Sequence, residues 1–248
     1  TGTGKTASFA IPVIQHLQAN KETDKRQGIK ALILTPTREL AMQISECIDD
    51  YSKYTRVRHG VIFGGVNQRP QVDMLRKGID ILVATPGRLL DLINQGHIHL
   101  TNIEYFVLDE ADRMLDMGFY DDIMQIVSYM PKSRQTLMFS ATLPPKIREL
   151  ARQILRKPVE INIAVSKPNE AIEQGAYVLY ETQKLGLIKE LFAKPLESKT
   201  IIFSSSKLKV KELAFAFKRM HLNAAAMHSD LDQAKREEVM LDFKNGKI

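Results

Sequence analysis

The sequence predicts an α/β protein with mostly parallel sheets, covered by helices on both faces and arranged in two tandem domains. Three observations carry this. Short β-branched apolar runs alternate with longer helical patterns, which is the signature of βαβ units. The strand candidates are apolar on both faces, as a doubly covered sheet requires. The alternation lapses once, in the polar stretch NIAVSKPNEAIEQG at 162–175, and then starts again.

A helix is expected to start near Lys5. Strands are expected at 30–36 (KALILTP), 58–65 (RHGVIFGG), 80–86 (DILVATP), 105–111 (YFVLDEA) and 135–142 (QTLMFSAT). Helical periodicity fills the gaps at 38–54, 68–77, 87–95, 118–129 and 144–156. Pro168, Gly175 and the loss of periodicity mark 164–175 as a linker between a first domain over 1–163 and a second over 176–248. The second domain repeats the pattern: strands at 176–181, 200–206 and 223–229, helices at 183–193, 208–220 and 232–245.

Composition narrows the class. Of 248 residues, 44% are hydrophobic and 26% charged, enough apolar mass for a packed core. No apolar run approaches the roughly 18–20 residues needed to cross a bilayer, so no membrane association is expected. The single cysteine, Cys47, excludes a disulfide framework and a cysteine-based zinc site, and fits a reducing compartment. His97 and His99 have no acidic or cysteine partner pattern, so no metal site is expected there. The formal net charge of +6 suits a polyanionic partner without demanding one.

The polar residues cluster at strand ends: TPTRE, GG, ATPGR, DEAD and SAT. Ligands of open parallel sheets bind beyond the carboxyl ends of the strands. One cluster reads as a turn; five on one edge read as a site. TGTGKT at 1–6 matches the end of the phosphate-binding pattern G-x-x-x-x-G-K-[ST]. Gly2 and Gly4, with Thr3 between them, let backbone N–H groups face phosphates. Lys5 brings a point charge to the β- and γ-phosphates, Thr6 offers a hydroxyl to Mg2+, and the helix start adds its positive dipole end. In FVLDEAD, Asp109 and Glu110 end an apolar strand. Asp109 is placed to hold Mg2+, and Glu110 to orient or deprotonate the attacking water.

With TGTGKT, PTRELAMQ, GG, TPGR, LDEADRML and SAT in this order, the chain resembles the DEAD-box ATP-dependent RNA helicases over essentially its whole length. FGGVNQRPQ and DEADRMLDMGF look most like their bacterial ribosomal-RNA-helicase-E-like branch. TIIFSSS and QAKR (Gln233 to Arg236) resemble two later motifs. The resemblance implies two RecA-like lobes, ATP and Mg2+ as ligands, and RNA as partner. Lys5, Thr6, Asp109 and Glu110 then carry the ATP chemistry. Pro36, Thr37, Arg38, Gly64, Gly65, Thr85, Pro86, Gly87 and Arg88 line an RNA groove that reads the sugar–phosphate backbone. Asp112, Ser140 and Thr142 link the two. Each has a plainer reading: Thr37 as a helix cap, Gly87 as a turn glycine, Gln233 and Arg236 as a solvated helix face.

The resemblance further implies a cytoplasmic protein, with ribosome-assembly or RNA-decay proteins as possible partners. It places the adenine-reading segment, the strand feeding the phosphate loop and the arginine-finger motifs outside these residues. The expectation is therefore two incomplete domains, truncated at both ends, of an RNA-dependent ATPase, inactive on their own. An ATP-gated RNA clamp and a related DNA-translocating ATPase are the alternatives.

Overall fold

The computed structural model describes residues 4–20, 28–162, 172–193 and 198–248. Gly2, Thr3 and most of the expected linker lie outside the described residues. The chain divides into two compact units, Thr1–Ile161 and Asn162–Ile248.

The first unit is built on a five-stranded sheet in which every paired neighbour is parallel, in the order β2-β3-β1-β4-β5. The strands are β1 (Ala31–Leu34), β2 (His59–Ile62), β3 (Ile81–Ala84), β4 (Tyr105–Leu108) and β5 (Gln135–Met138). Seven helices accompany them among the described residues: α1 (Lys5–Asn20), α2 (Arg38–Ser52), α3 (Arg69–Arg76), α4 (Pro86–Asn94), α5 (Ala111–Asp116), α6 (Tyr120–Ser128) and α7 (Pro145–Ile154).

The period-2 alternation of the strands sorts their side chains onto two faces. Ala31, Ile33, Ile81, Val83 and Val107 join one apolar cluster with α1 and α2. Leu32, Leu34, Leu82, Ala84, Phe106 and Leu108 join the other, with α4, α6 and α7. All four residues of β1 and of β3 are buried. Full burial of one such aliphatic side chain is worth about 1.5–3 kcal/mol, so the central strands anchor the sheet. Edge strand β5 has no fully buried residue. In edge strand β2, Gly60 lacks a side chain because Met74 of α3 packs where a Cβ would stand.

Two expectations need correction. Each strand is only four residues long, because the ladders stop where the polar clusters begin. The strand expected over 105–111 therefore ends at Leu108, and α5, a helix not expected from periodicity, starts at Ala111. Six residues are too few for a periodic signal.

The second unit contains α8 (Glu181–Leu191), α9 (Lys207–Arg219) and α10 (Gln233–Lys244), close to the expected helices. Ser206 and Asp232 cap α9 and α10 by accepting from Lys209 N and Lys235 N. The strands expected at 176–181, 200–206 and 223–229 form no ladder among the described residues. A parallel strand needs hydrogen-bonded neighbours and cover on both faces. Here Val178 and Phe203 are exposed to solvent. Phe217, its ring tilted against that of Phe192 with centroids 4.9 Å apart, is the one buried hydrophobic of this unit among the described residues.

Candidate functional site

The register brings the site together. Leu34 pairs with both Ala84 and Leu108, Ile62 with Ala84, and Leu108 with Met138. All five strands therefore end level, and the polar cluster after each strand emerges on one edge of the sheet. This is where an open parallel sheet binds its ligands.

At the β4 end the backbone is clamped on both sides. Asp109 N donates to Leu34 O at 2.9 Å, and Ala111 N to Phe139 O at 3.0 Å. Glu110 between them takes a left-handed conformation, φ 52° and ψ 51°, sparsely populated for a residue with a side chain. Such strain clusters at functional sites. The two acids end in different surroundings. Asp109 is 4% exposed, and its Oδ1 accepts from Glu110 N at 3.0 Å. The Glu110 side chain is 33% exposed and paired with Arg113 Nη1 at 3.2 Å. Burial pushes the Asp109 carboxyl up from its ordinary value; the Lys5 charge and the Glu110 N–H only partly offset it.

Gly4, at φ +72°, leads directly into α1, whose first residue is Lys5. The N-terminus of α1 thus lies within electrostatic range of the buried carboxylate. A buried acid whose charge is under-compensated fits a divalent cation. Among the described residues no cluster of three or more His, Cys, Asp or Glu could hold a metal. Mg2+ does not require one, because it is held by one or two carboxylates together with phosphates and waters. The buried, under-compensated Asp109 carboxylate fits one such ligand.

A second group lies at the ends of β1, β2 and β3. Thr37 caps α2, its Oγ1 accepting from Leu40 N at 3.3 Å, so its hydroxyl has the plainer role as well. Gly65 sits at φ +77°, and a Cβ there would overlap the Arg38 guanidinium. Gly64 and Gly87, by contrast, would meet nothing within 4 Å. The fold's own packing does not require glycine at these two positions. Gly65→Ala is therefore expected to cost about 1–2 kcal/mol and to displace Arg38. Gly64→Ala is expected to stay within about 0.5 kcal/mol. Denaturant unfolding of both variants measures the difference.

Pro36, Thr85 and Pro86 are buried and set the starts of α2 and α4. The Arg88 side chain is 12% exposed. Its Nη2 donates to Val66 O at 3.1 Å and its Nε lies 3.6 Å from Asp91 Oδ2, so it ties α4 to the Gly64–Gly65 loop. Its Nη1 is buried and has no partner among the described residues. The fold itself thus fixes the guanidinium at two of its nitrogens.

Asp112 joins the β4 and β5 ends. Its Oδ2 accepts from Thr142 N at 2.9 Å and Thr142 Oγ1 at 2.8 Å. Ser140 Oγ accepts instead from the backbone N–H of Asp112, at 3.2 Å, and donates to Thr142 O at 2.7 Å. Burial opposes ionisation of Asp112, but the hydrogen bonds from the Thr142 side chain and backbone and from the Arg113 N–H outweigh it and hold the carboxyl below its ordinary value.

Sequence reasoning did not single out Asp91 and Arg113. Both lie three residues from a residue it did name, on the same helical face, and that spacing was the available signal. In the second unit, Gln233 and Arg236 fall in the first turn of α10, where Gln233 Nε2 donates to Glu237 Oε1 at 3.0 Å.

Known proteins share this arrangement of motifs. Residues 1–166 match the family model for DEAD/DEAH box helicases, and residues 183–248 that for the helicase conserved C-terminal domain. The two models in succession agree with a tandem RecA-like α/β architecture. The DEAD-box ATP-dependent RNA helicase RhpA of Helicobacter pylori is 41% identical over 245 residues, covering 98% of this chain and 49% of that protein. The probable ATP-dependent RNA helicase DDX17 of Mus musculus is 40% identical over 253 residues, covering 100% of this chain and 39% of its own length. The ATP-dependent RNA helicase DeaD of Buchnera aphidicola is also 40% identical, over 252 residues, with 41% of its length covered. The chain thus spans about half or less of the length of these curated relatives, bacterial and animal alike. With the family model covering most of the chain, and with Asp109 and Glu110 at the head of a level sheet edge, the chain belongs to the DEAD/DEAH box helicases.

Proposed function

We propose that this chain forms the ATP- and RNA-binding core of an RNA-dependent ATPase that couples nucleotide turnover to local opening of RNA duplexes. One observation carries the reading. The polar clusters after the strands leave one level carboxyl edge, which supports reading Lys5, Asp109 and Glu110 as a nucleotide half and Arg38, Gly64, Gly65 and Arg88 as a groove half. Asp112 and Thr142 lie between β4 and β5 as a hydrogen-bonded bridge.

The division of labour follows from burial. Asp109, enclosed and under-compensated, would hold Mg2+ together with the Thr6 hydroxyl. When bound, the ion neutralises charge on the phosphates. Glu110, partly open to solvent, orients the attacking water and accepts its proton. Lys5 and the N-terminus of α1 hold the phosphates. On the groove side, Arg38 and Arg88 donate to RNA phosphates, and the side-chain-free faces of Gly64 and Gly87 admit the sugar–phosphate backbone. Contacts of this kind position RNA without reading bases, so binding is sequence-tolerant and salt-dependent.

The test is ATP hydrolysis and nucleotide binding by the chain within its complete reading frame, with RNA, DNA or no nucleic acid. Stimulation by RNA alone is expected. Equal stimulation by DNA replaces this reading with a DNA translocase, and ATP-dependent RNA binding without turnover replaces it with a clamp.

A further inference from the structure

The turn between α2 and β2 lies at the amino end of the sheet, opposite the site described above. Residues 51–58, YSKYTRVR, contain two tyrosines and three cations and no acid. Tyr54 is 91% exposed, and Lys53 Nζ stands 5.5 Å from its ring centroid. Tyr51, one helical turn earlier, is also exposed.

This turn is firmly built. Thr55 donates to Ser52 O at 2.8 Å from both its N–H and its Oγ1. Val57 N donates to Thr55 Oγ1 at 3.2 Å, and Arg56 N to Gln18 Oε1 of α1 at 2.8 Å. Ser52 and Val57 are buried beneath it. Arg58 keeps 59% of its side chain exposed while its Nη1 donates to Lys77 O at 2.9 Å. Of the acids at its margin, Asp49 meets His59 at 2.8 Å and Asp80 accepts from Arg58 N at 2.8 Å, while Asp50, just before Tyr51, is exposed. A solvent-facing aromatic ring on a pre-ordered turn, rimmed by cations, loses little entropy on capturing a flat ligand.

We propose that this turn is a second contact for single-stranded RNA, with a base stacked on Tyr54 and with Lys53, Arg56 and Arg58 on the flanking phosphates. The proposal rests on the RNA-binding reading above. Stacking on aromatic side chains within a basic surface is how sequence-tolerant single-strand binding works. A duplex hides its base faces, and an acidic peptide leaves the ring unused. Geometry connects the two contacts. Arg58 precedes β2 and Gly64 follows it, so at about 3.3 Å per residue they stand roughly 20 Å apart. The gap between the two contacts alone takes up about six stacked nucleotides at about 3.4 Å each, so a strand that engages both must be longer than six.

The experiment measures binding of a 6-nucleotide and a 20-nucleotide oligouridylate by fluorescence anisotropy, with Mg2+ and a non-hydrolysable ATP analogue, on the chain within its complete reading frame. The wild-type protein is expected to bind the 20-mer more tightly than the 6-mer. Tyr54→Ala is expected to weaken the 20-mer about five- to tenfold and leave the 6-mer unchanged, while Tyr54→Phe retains wild-type affinity for both. Lys53→Gln combined with Arg56→Gln is expected to reduce the salt slope for the 20-mer by about 1.4. Melting temperature and nucleotide binding report folding of each variant. Undiminished 20-mer affinity in Tyr54→Ala overturns the proposal. So does loss of polyglutamate binding without loss of 20-mer binding in the charge variant, which assigns the turn to an acidic protein segment. If the wild-type protein binds neither RNA, the RNA reading itself fails, and this proposal with it.

Discussion

Glu110→Gln is expected to lower ATP turnover about 10²–10⁴-fold while leaving ATP and RNA affinity in place. The substitution keeps the shape, and its amide oxygen still accepts from Arg113, which now stands 3.2 Å from Glu110 Oε2. It removes only the ability to take a proton. The left-handed backbone at φ 52° costs a glutamine about what it costs a glutamate, so the fold carries no new strain. Asp109 and Lys5 are untouched, so the phosphates are still held. Single-turnover hydrolysis, beside equilibrium binding of a non-hydrolysable analogue, separates the two effects. A Gln variant that keeps a tenth or more of wild-type turnover removes Glu110 from the chemistry and moves the proton acceptor elsewhere on the edge.

Much of the first unit was legible from two signals. Short continuous apolar runs and helical stretches between them located all five strands and most helices, because the core is a doubly covered parallel sheet and every central residue must be apolar. The polar residues closing each run pointed to the candidate site, because a parallel sheet puts all its carboxyl ends on one edge. Two things were not legible. The exact end of each ladder depends on hydrogen bonds between strands far apart in sequence, such as Asp109 N to Leu34 O, which no local pattern encodes. The engagement of individual side chains was equally hidden. Arg88 reads as a phosphate ligand, yet two of its nitrogens face Val66 O and Asp91, and Ser140 meets the backbone of Asp112 rather than its carboxylate. In the second unit the strand pattern is present in 176–181 and 200–206, but propensity alone forms no ladder: pairing is a tertiary event.

Asp109→Asn is expected to raise the stability of the ligand-free protein at neutral pH and to abolish its stabilisation by Mg2+ and ATP. The sign follows from the raised carboxyl. Its folded-state value lies above the unfolded one, so the fold favours the protonated acid. The stability this gives is fully present below about pH 4 and is lost as pH rises through the raised folded value. Asparagine does not titrate, and its Oδ1 still accepts from Glu110 N. The wild-type and variant melting temperatures should therefore lie closest in acid, diverge in the variant's favour as pH rises, and then run parallel. Lys5 opposes this by favouring the charged acid, but burial is the larger effect. Bound Mg2+ reverses the order, because a cation compensates the buried charge that the empty fold leaves under-compensated. Adding Mg2+ and ATP should raise the wild-type melting temperature and leave the variant's nearly unmoved, while turnover falls by on the order of 10³. Thermal melts from pH 4 to 8, with and without Mg2+ and ATP, decide the matter. A variant that melts below the wild type at neutral pH without ligand makes Asp109 a structural acid rather than a group held in readiness for a cation.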